Sequence, residues 1–307
     1  MILLCGIPSE LPLRLVRDEL EQLGVPVVTF NQRRFADASL WWELDGGAPR
    51  GELRLDGSRF RLEDFTGVYT RLMEDSRLPE LRNEPPDSPV RRRCRALHEA
   101  LAQWYEVAPA RVVNRARPQG SNGSKPYQSQ LIRAAGFAVP ETLVTNDPEL
   151  VREFVVRHGS VVYKSISGVR SIVTRLGEDD LARLEHIRWC PVQFQAYVPG
   201  PNVRVHVVGA EAIATAVRSA ATDYRYGLRQ VDEPAELEAI EIPGELADRC
   251  VRLAAALELP FAGIDLLFPP DAEPVCLEVN PSPAFSYYEL ETGQPIARTL
   301  ARYLAGS

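Results

Sequence analysis

Two apolar segments near the C-terminus carry acidic side chains where a sheet tolerates them least. The stretch reads Gly263-Ile264-Asp265-Leu266-Leu267-Phe268, then Pro269-Pro270-Asp271-Ala272-Glu273-Pro274, then Val275-Cys276-Leu277-Glu278-Val279-Asn280-Pro281. A hairpin closing about Asp271 and Ala272 sets Phe268 opposite Val275, Leu266 opposite Leu277, and Asp265 opposite Glu278. Residues two apart on a strand share a face, so Asn280 joins Glu278. Like charges directly opposite each other destabilise a sheet. A hard divalent cation removes that penalty, and it prefers carboxylate and amide oxygens. The pattern predicts a magnesium site on Asp265, Glu278 and Asn280, and magnesium on so few protein oxygens commonly also holds a nucleotide phosphate.

The chain has 307 residues, room for two or three small domains. Its net charge of −7 gives no attraction to nucleic acid or to an anionic membrane. No apolar run approaches a membrane span, and the start Met1-Ile2-Leu3-Leu4-Cys5-Gly6 reads as a buried strand rather than a signal peptide. Cys5, Cys94, Cys190, Cys250 and Cys276 are scattered among apolar residues with no C-x-x-C or Cys/His cluster. Reduced core thiols in a cytoplasmic protein are expected, not zinc or a disulfide framework.

Residues 1–30 read as a β-α-β unit. It has a strand Ile2–Cys5, a helix Leu11–Leu23 with Leu13, Val16, Leu20 and Leu23 on one face, and a strand Val25–Phe30 after Gly24. Residues 51–71 read as short strands and turns, and the acidic, proline-rich 75–89 as a surface loop. A helix over Ser88–Glu106 is expected to bury Val90, Cys94, Leu97, Leu101 and Trp104. Arg91, Arg92, Arg93 and Arg95 fall mostly off that stripe, as a solvated face before a docking patch for an acidic partner. The loop Arg115–Gly123 marks a domain boundary. Beyond it the spacing predicts helices over 124–135, 148–159, 178–188, 243–257 and 294–304. Strands are predicted over 139–144, 161–164, 172–175, 192–198, 203–208 and 212–217.

Several cations sit at the ends of these elements. Lys125 opens a helix, where the dipole and free N–H groups favour anions, although a lysine there is by itself commonly surface decoration. Lys164 ends the apolar strand Val161-Val162-Tyr163-Lys164, on the face of Val162, ahead of the small-residue loop Ser165–Ser171. A lysine in a core direction needs a partner, and a phosphate covered by backbone N–H groups is one. On the strand 203–208 the valines take one face, and Arg204 and His206 the other. Arg204 suits a phosphate fork. His206 reads as a satisfied structural histidine before a substrate contact. Arg225, within Thr222–Gly227, is either a second anion clamp or an ion pair with Asp223. No Ser/His/Asp triad can be assembled, and the P-loop, G-x-S-x-G and G-x-G-x-x-G patterns are absent.

In order along the chain stand Ser124-Lys125-Pro126-Tyr127-Gln128, the run Gly136–Asn146, Val203-Arg204-Val205-His206-Val207-Val208-Gly209, Asp223-Tyr224-Arg225, and Gly263-Ile264-Asp265 with Leu277-Glu278-Val279-Asn280-Pro281. Together they resemble the ATP-grasp superfamily, in the branch of the ribosomal-protein S6 glutamate ligase and the graspetide or microviridin-type peptide cyclases. The resemblance implies an α/β (α+β) ATP-grasp fold. Its parts would be a leading α/β domain over 1–112, a central lid subdomain over 113–195 and a C-terminal antiparallel-sheet subdomain over 196–307. It also implies roles. Lys125 and Lys164 would bind ATP phosphates from two sides. The segment Gln193–Val198 would lie along the adenine, with Gln195 and the backbone of Ala196 and Val198 reading its edge. Asp265, Glu278 and Asn280 would hold Mg2+, or Mn2+ in its place. Arg204 and Arg225 would stabilise the transferred phosphoryl group or acyl phosphate.

The activity so implied is ATP-dependent. A carboxylate takes the phosphoryl group, ADP leaves, and an amine or hydroxyl displaces phosphate. The partners are a carboxylate substrate and an amine or hydroxyl nucleophile, on a peptide or amino acid. A small-metabolite ligase of the same mechanism and a non-catalytic ATP-binding regulator stand as alternatives. The family admits a homodimer; nucleic acid and membrane are not expected as partners. The sequence departs from the pattern at Asn202, where many relatives have aspartate before the arginine strand, and in its glycine-poor loop 165–171. It departs again at Tyr69-Thr70-Arg71, which replaces the tryptophan-arginine signature of peptide cyclases.

Overall fold

β1 (Ile2–Gly6) is buried at all 5 of its residues. A strand buried on both faces belongs inside a parallel sheet, and β1 pairs in parallel with β2 (Val27–Asn31) and β6 (Gly67–Thr70). The computed structural model, which describes residues 1–166, 173–219 and 235–307, completes this sheet with β7 (Arg111–Val113) in the order β2-β1-β6-β7. Beside it β3 (Ala38–Glu43), β4 (Arg50–Leu55) and β5 (Ser58–Arg61) form an antiparallel meander, of which the sequence pattern does not reveal β3. α1 (Leu11–Gln22) buries Leu13, Val16 and Leu20 as its periodicity predicts, but Leu23, expected on the same face, falls at the helix's C-cap and is exposed.

α2 (Pro89–Val107) buries Cys94, Leu101 and Trp104, but its first turn overturns the predicted stripe: Val90 is exposed and Arg91 is buried. Arg91 donates to Asp75 Oδ2 (3.1 Å) and to the carbonyls of Leu81 and Glu84. Residues 75–89 are therefore anchored rather than a free surface loop, with Leu78 and Leu81 buried beside Cys94. Periodicity registers volume, not the distant acid and carbonyls that let a guanidinium go inside.

After α3 (Ala116–Gln119) and α4 (Lys125–Ala134), a second sheet has the order β10-β9-β11-β8. It is built from β8 (Thr142–Thr145), β9 (Val161–Ser165), β10 (Thr174–Arg175) and β11 (Val192–Ala196). α5 (Pro148–His158) covers one face, burying Val151 and Phe154 with Val161, Leu184 and Phe194. The helix predicted over 178–188 is two short pieces, α6 (Glu178–Ala182) and a 3-10 turn (Leu184–Trp189).

The third sheet comprises β12 (Asn202–Val208), β13 (Glu211–Arg218), β14 (Glu236–Ile240), β15 (Phe261–Leu267) and β16 (Val275–Asn280), in the order β14-β13-β12-β15-β16. α7 (Gly244–Ala256) packs Leu246, Cys250 and Leu253 under Val203, Val205 and Val207. α4 joins this core through Ile132. After α8 (Ser286–Thr292), α9 (Ile296–Ala305) returns to the start of the chain, its Leu300 and Leu304 sharing a core with Leu13 and Val16. Asn114 ties the halves together: Nδ2 donates to Phe261 O (2.6 Å) and Oδ1 accepts from Phe261 N (3.2 Å).

The acidic hairpin keeps one expected pair and corrects the others. Asp265 stands opposite Glu278, and Gly263 opposite Asn280. A bulge between Asp265 and Leu266 shifts the outer register, so that Leu266 meets Cys276 and Leu267 meets Val275. An extra residue on one strand keeps the inner carboxylates aligned while the proline-rich turn closes in its own geometry. All five cysteines are free, and Cys190 is exposed rather than in the core. No described helix is long and apolar enough to cross a membrane.

Candidate active site

One face of the third sheet gathers the charged residues in rows. Thr215, Arg204, Asp265 and Glu278 are successive cross-strand partners, and His206, Gly263 and Asn280 form the next row. Alternation along each strand puts both rows on the face opposite the valines. Arg204 Nε stands 3.0 Å from Asp265 Oδ1, with both side chains nearly sealed from solvent. Gly263 makes this possible: a Cβ there would lie 2.5 Å from Arg204 Nη1 and 2.8 Å from Pro283 Cβ. The guanidinium also lies 5.7 Å from the ring centre of Tyr288, within cation–π range.

His206 is fully buried, its ring 4.9 Å from Tyr288 in an edge contact and 6.4 Å from Phe261 in a stack. Burial, and then the neighbouring Arg204 charge, hold its pKa well below the usual range, so the ring is neutral and structural. Burial, followed by smaller contributions from Cys250, Asp265 and Glu278, pushes the Cys276 thiol far up.

α4 brings a second cation to the same face. Lys125 Nζ is 3.0 Å from Glu278 Oε2. The helix is pinned there by Gln128, whose Nε2 donates to Val279 O (2.8 Å) and whose Oε1 accepts from Val279 N (3.0 Å). Asn280 Oδ1 accepts from Ser282 N (2.9 Å), which fixes the amide. Among the described residues no three His, Cys, Asp or Glu side chains gather as a metal cage. Two carboxylates and an amide on one face are the oxygen types that magnesium takes, and magnesium usually keeps waters and substrate phosphates as its other ligands.

The remaining expected residues lie on the second sheet. Lys164 is buried on β9, level with Gln193 on β11 and Val144 on β8. Gln195 and Val162 occupy the next row of that face, away from the α5 core. Gln195 Nε2 donates to Thr142 Oγ1 (3.0 Å), and the Ala196 N–H donates to Glu141 O (2.9 Å). The strand ends at Ala196, short of Val198. Arg225, and most of the loop Ser165–Ser171, lie outside the described residues. Sequence periodicity does not single out Gln128, Gly263, Asn114 or Gln193 as site residues. Alternation in Val192-Gln193-Phe194-Gln195 gives Gln193 its face, and the resemblance sets it only at the start of the segment expected along the adenine.

Comparison with known proteins extends these observations. The RimK-like ATP-grasp domain family matches residues 124–304. A probable alpha-L-glutamate ligase of Chromohalobacter salexigens is 27% identical over 216 residues, 67% of this chain and 70% of that protein. The ATP-grasp ligase PsnB, solved with minimal precursor, Mg and ADP, is 30% identical with a TM-score of 0.78, over 99% of this chain and 97% of that one. The macrocyclase MdnC from Microcystis aeruginosa MRC, solved with precursor peptide MdnA, shares the fold at a TM-score of 0.79 and 20% identity, over 100% and 99% of the two chains.

Proposed function

The chain belongs to the RimK-like ATP-grasp family, and we propose that it is a peptide-directed ligase that activates a carboxylate with ATP and couples it to an amine or hydroxyl. The observation that carries this reading is the row Arg204, Asp265, Glu278 with Lys125 at its edge, on one sheet face. The peptide preference rests on the extent of likeness. The glutamate ligase relative covers 67% of this chain, whereas PsnB, solved with its precursor, covers 99% and so includes the leading domain.

In the first step a carboxylate oxygen attacks the γ-phosphorus of ATP, the bond to the β,γ-bridging oxygen breaks, and ADP leaves. In the second, the amine or hydroxyl attacks the acyl carbon and phosphate departs with the bonding pair. Lys125 and Lys164 neutralise phosphate charge, and Arg204 faces the charge carried by the transferred phosphoryl group. Arg204 is held ready by Asp265 and by the space above Gly263, so it needs little reorganisation. Asp265, Glu278 and Asn280 would hold magnesium, with manganese accepted by the same oxygens; when bound, the cation supplies further neutralisation of the phosphates. Five free thiols suit a cytoplasmic setting.

The test is substrate-dependent ADP release by the wild type and by Glu278→Ala, over acidic peptides and an acid-and-amine panel. Loss of release in the variant, with peptide products lighter by one water per bond, is the expected result. Undiminished release by the variant overturns the metal chemistry, and turnover confined to free metabolites overturns the peptide preference.

A further inference from the structure

Gln193 opens the segment expected along the adenine but has no contact of its own assigned there, and its surroundings are costly for a glutamine. It is 1% exposed. Neither Nε2 nor Oε1 has a hydrogen-bond partner among the described residues. A buried amide left in that state is unfavourable unless something else satisfies it.

Its direction is set by β11. Phe194, with its cross-strand neighbours Tyr163 and Leu143, packs into the core beneath α5. Alternation therefore turns Gln193 to the opposite face, level with Lys164. On that face Gln195 has its Nε2 engaged by Thr142, and the Ala196 N–H is engaged by Glu141. Gln193 is thus a buried carboxamide on that face with neither its donor nor its acceptor engaged among the described residues, beside the lysine assigned to phosphate.

Adenine presents a matching pair: the exocyclic N6–H donates and the adjacent N7 accepts. A carboxamide can meet both at once, as glutamine does with adenine in nucleic acids. A 6-oxopurine presents two acceptors there, and one amide atom would then stay unsatisfied in a buried place. We propose that Gln193 reads this edge of the base, with Oε1 accepting from N6–H and Nε2 donating to N7, and so sets the preference for adenine over 6-oxopurine nucleotides. The inference rests on the ATP-dependent reading above.

The experiment is calorimetric binding of ADP, inosine diphosphate and 7-deaza-ADP, with magnesium, to the wild type, Gln193→Met and Gln193→Ala. The wild type is expected to prefer ADP over each analogue by about tenfold, the scale of one lost hydrogen bond to a desolvated amide. The variants are expected to lose ADP affinity by about tenfold and to bind all three ligands within about twofold of one another. Wild-type selectivity retained in either variant overturns the inference. Should neither variant fold, the wild type decides: equal affinity for the three ligands overturns it, and preference for ADP over both supports it. A wild type that binds no adenine nucleotide overturns the ligase reading itself, which is a separate outcome.

Discussion

Lys125 and Glu278 lie 153 residues apart in sequence and 3.0 Å apart in space. The proposed phosphate ligand and the proposed metal ligand thus compensate each other's charge when neither has its partner. Their side chains are only 11% and 14% exposed, so removing the Glu278 charge takes this partner from Lys125 in a poorly solvated place. Glu278→Gln is expected to lower stability by about 2–4 kcal/mol and to abolish ADP release. Adding Lys125→Met should recover part of the stability and none of the activity. Urea unfolding beside the ADP assay separates these effects, and a Glu278→Gln protein as stable as the wild type would show that the pair carries no structural weight.

Gly263 tests the preorganisation of Arg204. An alanine Cβ would meet Arg204 Nη1 at 2.5 Å and Pro283 Cβ at 2.8 Å. Both neighbours are confined, so the guanidinium must leave its place beside Asp265. Gly263→Ala is expected to lower kcat by more than about tenfold through misplacement, at a stability cost of about 1–3 kcal/mol. Gly244→Ala is the control, since a Cβ there meets nothing within 4 Å. Equal kcat in the two variants would remove the positional role of Gly263.

How much of this was legible in the sequence depends on the range of the interactions. Strand alternation separates Val203, Val205 and Val207 from Arg204 and His206, and the structure places them on those faces. The pairing of Asp265 with Glu278 is likewise local, and it survives the bulge that shifts their outer neighbours. What escapes the sequence is set by distant partners. Arg91 is buried because Asp75 and two carbonyls receive it. Asn114 acquires its role from Phe261, 147 residues away. β3 alternates in the structure, with Ala38, Leu40 and Trp42 turned to the core, but an apolar Trp41 on its exposed face blurs that alternation in the sequence.

One buried and one half-buried histidine give stability a defined acid dependence. Burial and the Arg204 charge lower the His206 pKa, and burial lowers that of His98 to about 4. Below pH ~6.5 the unfolded imidazoles take up protons that the folded ones refuse. Stability therefore falls as pH drops through that value, by up to about 1.4 kcal/mol per pH unit for each histidine. The His98 contribution stops growing near pH 4, where the folded ring also protonates. Urea unfolding between pH 7.5 and 5 should show the slope, and His206→Leu should remove about one proton's share of it. An unchanged slope in the variant would mean that His206 takes up its proton in the folded state.

Gln128 makes the last prediction, because it behaves as a substitute strand. β16 is the edge of its sheet, and Gln128 exchanges a donor and an acceptor with Val279 there, between Glu278 and Asn280. Lys125 stands three residues earlier on the same helix, so this clamp fixes the distance between the lysine and the carboxylate. Gln128→Leu keeps the volume but leaves both backbone groups of Val279 without that partner, at a cost of about 2 kcal/mol. Lys125 is then displaced rather than removed. The KM for Mg·ATP is expected to rise several-fold at limiting magnesium, about the weight of one misplaced charge contact, while kcat changes less. A wild-type KM in Gln128→Leu would mean that the apolar side of α4, through Leu131 and Ile132, is enough to hold the helix in place.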